Sequence, residues 1–195
     1  MIILVIYCRS AEGQWRSTYK SHLSSFRQNK GNLVFYLNTA RDSVPRYLKS
    51  LNPDLVIFHY TFLAERNDAD KFNKLLRLIG FIKAFKCRKA LVPHDEQYRA
   101  DYLCSFCNDF GVTHIFTPAE PSEWARIYQG INLSSVTFHT VLTGYVDEKM
   151  VRRLKKRSKN LDDRPVDIGY RAWDSYPFYG RHGLLKGNIG HKFKE

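Results

Sequence analysis

Six short apolar runs punctuate the chain, and between them the apolar residues recur every three or four positions, so the pattern predicts strands alternating with amphipathic helices. Residues 1–8 form an apolar stretch unbroken by charge, as expected of a strand covered on both faces. Leu33–Leu37 repeats the pattern, and in Asp54–Thr61 four consecutive apolar residues stop at His59. Leu91 and Val92 read as the tail of a fourth strand, which Pro93 closes because it has no amide hydrogen to give to a ladder. Thr113–Pro118 and Ser134–Leu142 supply the last two runs.

Helices are predicted over residues 17–28, 45–50, 70–86, 101–110 and 121–128. Ser17 is placed to cap the first, and Pro45 suits the first turn of the second. Phe72, Leu75, Leu76, Ile79 and Ile82 mark the strongest, while Gly111 suits a left-handed position just past the fourth. Six strands and five helices in regular alternation predict one parallel sheet with right-handed crossovers, a doubly wound, Rossmann-like α/β domain.

Past residue 146 the pattern changes. Residues 151–159 hold six Lys or Arg and no acid, the pattern of a solvated helix or linker. Arg164–Arg171 reads as a new strand, Tyr179–Gly183 as a turn, and Leu184–Lys194 as the start of a helix. One strand and a partial helix cannot close a core. The expected plan is therefore a first domain at 1–146, a basic linker at 147–163 and, from 164 to 195, the beginning of a truncated second domain.

Composition narrows the picture. At 195 residues, 44% of them hydrophobic, the chain holds one full domain with a real core plus a remnant. A formal charge of +12 biases its partner toward something anionic: phosphate, nucleic acid or an acidic membrane surface. Thirteen of the 31 Lys and Arg lie beyond residue 146 against seven acids, so the last quarter carries half of the excess. No run approaches the roughly 18 apolar residues of a membrane span, which predicts a soluble or at most peripheral protein. Four cysteines, at 8, 87, 104 and 107, without a secretion signal point to reduced thiols in a cytoplasm. Cys104 and Cys107 have metal or redox spacing, yet they share an apolar helical face with Leu103, Phe106 and Phe110 and lack a second pair, so they read as core.

The candidate chemistry lies where the fourth strand stops, at His94-Asp95-Glu96. Ligands of open α/β sheets bind at the carboxyl ends of the strands. Three adjacent ionisable groups cost desolvation unless they face a cleft. His59 ends the preceding strand, so two strands deliver histidines to one rim; alone, His59 reads more simply as a strand cap.

Ala90–Glu96 resembles the strand ending in His-Asp that faces the interdomain cleft of GT-B glycosyltransferases, near the spore-coat and surface-polysaccharide relatives of that fold. His114–Glu120 is similar to the family's next strand and turn, Val141–Asp147 to the segment leaving the first domain, and Pro165–Arg171 to the opening strand of the nucleotide-binding domain. The resemblance implies the N-terminal half of a GT-B fold, with a nucleotide-sugar donor and a saccharide or other surface-glycan acceptor as partners. It places His94 or Asp95 at the reaction centre, as a base or as a stabiliser of positive charge on the sugar. Glu96 and His59 would orient that group or contact the acceptor, with Gly13 in the acceptor loop. Gly180, Arg181, Gly183 and Lys186 would hold the donor diphosphate, with no metal and no cofactor required. Much of the family's nucleotide pocket lies in the second domain, so an isolated chain of this length is expected to be inactive. The resemblance further implies a polysaccharide-biosynthesis enzyme in the cytoplasm, with room for peripheral association at the inner face of the membrane.

Two other classes compete. Nucleic-acid binding would follow from the charge and the 151–159 run, but no named nucleic-acid motif appears and that run has no interleaved aromatics, so no specific nucleic acid is expected. A noncatalytic α/β module that docks on a partner supplying the missing half predicts a stable hetero-complex and no saturation by nucleotide sugars.

Overall fold

A computed structural model describes residues 1–10, 15–142, 145–166, 169 and 180–192. Two compact units divide the chain, Met1–Val146 and Asp147–Glu195.

The first unit is built on β1 (Ile2–Tyr7), β2 (Leu33–Asn38), β3 (Leu55–His59), β4 (Arg88–Val92), β5 (His114–Thr117) and β6 (Thr137–Thr140). They form one sheet in the order β2-β1-β3-β4-β5-β6, with every neighbouring pair parallel. This is the doubly wound α/β architecture that the alternation predicts. After β1 the chain adds β2 on one side, then crosses to add β3 on the other, so the order reverses between β1 and β3. A crevice opens at the carboxyl ends of strands that flank such a reversal.

Period two along the strands divides the core into two layers. Leu4, Ile6, Val56, Phe58, Leu91 and Ile115 face one side, where they pack with the helical residues Phe62, Phe72, Leu103, Phe106 and Phe110. Ile3, Val5, Ile57 and Ala90 face the other side and pack with Leu23 of α1 (Ser17–Ser25). Each fully buried Leu, Ile or Phe among them contributes about 1.5–3 kcal/mol through the water-exposed surface it removes.

The helices of the unit continue with α2 (Arg46–Lys49), α3 (Tyr60–Leu63), α4 (Ala69–Leu78), α5 (Ala100–Phe110) and α6 (Pro121–Ile127). Three departures from the hydrophobic pattern have local causes. The helix expected from residue 70 to 86 stops at Leu78, because Gly80 follows and the chain tightens into a 3-10 turn over Gly80–Ala84 that turns Ile82 inward. The third strand stops at His59, whose imidazole accepts the Thr61 amide hydrogen and starts α3. The sixth strand covers only Thr137–Thr140, since Asn132 caps a 3-10 turn at Leu133–Ser135. Gly111 ends α5 with φ +65°, as its place in the pattern predicts.

The second unit holds α7 (Glu148–Lys155) and α8 (Gly180–Lys192). Asp147 caps α7 by accepting the amide hydrogens of Lys149 and Met150 at 2.7 and 3.1 Å, so part of the expected basic linker is a helix with an exposed cationic surface. Gly180–Gly183, expected as part of a turn before a helix, is instead the first turn of α8, entered through Gly180 at φ +71°. Of the strand expected at Arg164–Arg171, residues 167, 168, 170 and 171 lie outside the described ones, and residues 164–166 and 169 are not in a strand.

Candidate functional site

The carboxyl ends of β3 and β4 finish level, with His59 in register with Val92, and Pro93 leads into residues 94–99 on the rim. His94 and Asp95 are exposed there, with 52% and 44% of their side chains accessible. His94 Nδ1 lies 3.0 Å from Asp95 Oδ2. A carboxylate only accepts, so it fixes the proton on Nδ1 and leaves Nε2 as the basic atom of the ring. The hydrogen bond to Asp95 raises the His94 pKa above its ordinary value; burial and the charge of Arg66 act the other way. An imidazole oriented by a carboxylate in this manner can take a proton from a hydroxyl group.

Asp95 has a left-handed backbone, φ +52°, as does Arg99 at +51°. Such a conformation in a residue other than glycine costs free energy and persists only where neighbours enforce it. Arg66 enforces it from below. Arg66 is 2% exposed, and its guanidinium donates to the carbonyl oxygens of Leu63 at 2.8 Å, His94 at 3.2 Å, Asp95 at 2.7 Å and Tyr98 at 3.1 Å. The planar, five-donor fork of arginine suits this role, since one rigid group spans the start and the end of the loop.

Glu96 turns inward. It is 3% exposed, and its carboxyl accepts from the Thr117 hydroxyl at 2.7 Å and from the Tyr128 hydroxyl. Burial raises its pKa, and burial together with the Glu96 charge raises that of Tyr128. Glu96 therefore ties the 94–99 loop to β5 and to the end of α6.

His59 is fully buried. Its Nδ1 accepts the Thr61 amide hydrogen at 3.1 Å and lies 2.8 Å from the Thr61 hydroxyl, so in the neutral ring the proton sits on Nε2. That proton is donated to His22 Nδ1 at 2.8 Å, which in turn fixes the proton of His22 on its own Nε2. One backbone amide thus sets the tautomer of two rings. Burial, with the neighbouring His22 charge, drives the His59 pKa down to about 3, and burial lowers that of His22.

Tyr60 connects these groups. Its ring centroid lies 4.0 Å from that of His59, 5.4 Å from His22 and 5.7 Å from His94. The rings of Tyr19, Trp15, Tyr7 and Tyr36 extend the array along the rim beside β1 and β2.

Of the residues singled out from the sequence, the structure brings His94, Asp95, Glu96 and His59 to one end of the sheet. Only His94 and Asp95 reach solvent; Glu96 and His59 support them from within. Gly13 lies outside the described residues. Gly180, Arg181, Gly183 and Lys186 fall in the first two turns of α8, in the second unit, where Arg181 is exposed. Cys104 and Cys107 are buried in the core, where burial raises both thiol pKa values. Among the described residues no helix is long and apolar enough to cross a membrane.

Sequence reasoning missed Arg66, Tyr60 and His22. For His22 a signal exists: Tyr19, His22, Leu23 and Phe26 fall at i, i+3, i+4 and i+7, the sheet-facing stripe of α1. Arg66 has no local signal, because three of its four partners are backbone oxygens about 30 positions away and the fourth is the Leu63 carbonyl, which no side-chain pattern marks. Compared with known proteins, the chain matches no family model, no curated protein and no solved structure.

Proposed function

We propose that residues 1–146 are the acceptor-side domain of a GT-B glycosyltransferase that moves a sugar from a nucleotide-sugar donor to a glycan acceptor. The observation that carries this reading is the His94–Asp95 pair at the carboxyl end of a parallel sheet, with Asp95 held left-handed over a buried guanidinium. The sequence resemblance of Ala90–Glu96 to the His-Asp strand of that family supports the same assignment.

In this reading the acceptor hydroxyl meets His94 Nε2, and Asp95 holds the ring and balances the imidazolium that forms as the proton arrives. The anomeric carbon of the donor bonds to the acceptor oxygen as its bond to the diphosphate breaks. Glu96, His59 and His22 hold the rim without contacting the reacting atoms. The enzyme would work in the cytoplasm, on a glycan assembled at the inner face of the membrane.

The test is to incubate the 195-residue chain, and a version extended through its reading frame, with a panel of nucleoside-diphosphate sugars and oligosaccharides, following release of the nucleoside diphosphate. Acceptor-dependent release from one donor by the extended version is the expected result, with none from the 195-residue chain alone. Release from none, with no donor altering the spectrum of the labelled protein, would overturn the assignment.

A further inference from the structure

Among the described residues, the aromatic array beside the candidate site continues well beyond it. From His94 it runs through Tyr60, Tyr19, Trp15 and Tyr7 to Tyr36, with successive ring centroids 5.5 to 6.5 Å apart. All five rings are part-buried: Tyr7, Trp15 and Tyr36 pack against the core from one side, and each of the five keeps some surface in contact with water. Three arginines lie against them. The Arg9 guanidinium sits 4.6 Å over Trp15, that of Arg16 5.8 Å over Tyr19, and that of Arg27 4.6 Å over Tyr36. All three are exposed.

The charge around them is one-sided. Residues 1–50 contain eight Lys and Arg against two acids, while residues 51–146 are balanced. Among the described residues no carboxylate forms an ion pair with Arg9, Arg16 or Arg27. The backbone that carries Arg9 is fixed: its amide donates to Asn38 Oδ1 at 2.8 Å, and Asn38 Nδ2 donates to its carbonyl at 3.1 Å. A guanidinium held near a ring by cation–π attraction keeps its charge and N–H donors for a carboxylate, which an arginine can meet with two parallel hydrogen bonds.

We infer that this rim binds an acidic saccharide: the apolar faces of its sugars lie on Tyr7, Trp15, Tyr19 and Tyr60, and its uronic-acid carboxylates meet Arg9 and Arg16. The inference rests on the transferase reading and names its acceptor class, an anionic glycan whose reacting hydroxyl ends at His94. Single-stranded nucleic acid fits the geometry less well. Neighbouring rings meet at 68° to 88°, and the arginines cover one face of three of them, so no run of parallel open faces is offered to successive bases.

The test is calorimetric titration of the full chain with a galacturonic-acid hexamer, a neutral galactose hexamer and an oligouridylate. Wild type is compared with the double variant Arg9→Gln, Arg16→Gln, whose exposed positions leave folding intact. The expected result is that the acidic hexamer binds about tenfold or more tightly than the neutral one. That preference should disappear in the double variant and weaken in high salt. Equal binding of both hexamers, unaffected by the substitutions, would overturn the inference while leaving the transferase reading in place. Oligouridylate binding as tight as the acidic hexamer, with the same dependence on Arg9 and Arg16, would overturn it too. Acid-selective binding without turnover of any donor sugar would uphold the surface and remove the transferase reading alone.

Discussion

Replacing Arg66 tests how the rim is held. Arg66→Met keeps most of the aliphatic stem and removes the fork, so four carbonyl oxygens lose a charged donor at once. The bond to Leu63 is fully buried and water cannot replace it, so losing it costs about 1–3 kcal/mol. The other three are part-buried beside the exposed His94 and Asp95, where water can partly substitute, at about 0.5–1.5 kcal/mol each. Such losses overlap, because one loop relaxes for all of them. The expected destabilisation is about 3–5 kcal/mol, a large share of the 5–15 kcal/mol typical of a domain. Arg66→Lys should recover only part of it, since a point charge with three donors cannot span Leu63, the 94–95 turn and Tyr98 together. Urea unfolding followed by circular dichroism reads the loss as a lower midpoint at unchanged slope. A loss below about 1 kcal/mol in the Met variant, or full stability in the Lys variant, would refute the idea that this guanidinium fixes the site backbone.

Three further outcomes follow from the buried and rim groups. Because burial raises the Glu96 pKa, its contribution to stability is fully present below the ordinary carboxylate pKa and is lost as pH rises through the folded value. Unfolding midpoints of Glu96→Gln should accordingly show less decline toward alkaline pH than those of wild type, and an identical decline would contradict this. His59 is the opposite case. With its pKa depressed to about 3, the unfolded chain binds the proton first, so stability falls as pH drops from about 6.5 toward 3. His59→Asn should flatten that acid limb in denaturant titrations, and an unchanged limb would count against a buried neutral imidazole. Asp95→Asn should lower the His94 pKa observed by NMR, since the hydrogen bond that raises it is weakened while burial and Arg66 still act; no change would show that the pair is not coupled.

The sheet was legible because period-two and period-3.6 patterns are local, and the strand ends at His59 and Val92 are marked by the histidine and the proline found there. Gly111 was legible for the same reason: a left-handed exit from a helix selects glycine. The rim residues were legible as a place, since His59 and His94 each follow an apolar run. Their roles were not. Whether Glu96 faces water or the core depends on Thr117 and Tyr128, 21 and 32 positions away, and on the left-handed turn at Asp95 that rotates the chain between them. Arg66 was invisible because a guanidinium that binds carbonyl oxygens needs no particular side chain opposite it. The periodic stripe predicts a single helix over 70–86, but Gly80 interrupts it, and the stripe continues through Ile82 as a different helix type.

The account stands or falls on the reaction centre at residues 94 and 95. The most direct measurement is the rate of acceptor-dependent nucleoside-diphosphate release by His94→Ala and Asp95→Asn, in the preparation whose wild type turns over, alongside their unfolding midpoints. Loss of an oriented base predicts a fall of about 10²–10⁴-fold for His94→Ala and a clear reduction for Asp95→Asn. Both side chains are exposed, so both midpoints should remain near wild type. Wild-type turnover in both folded variants would contradict the account.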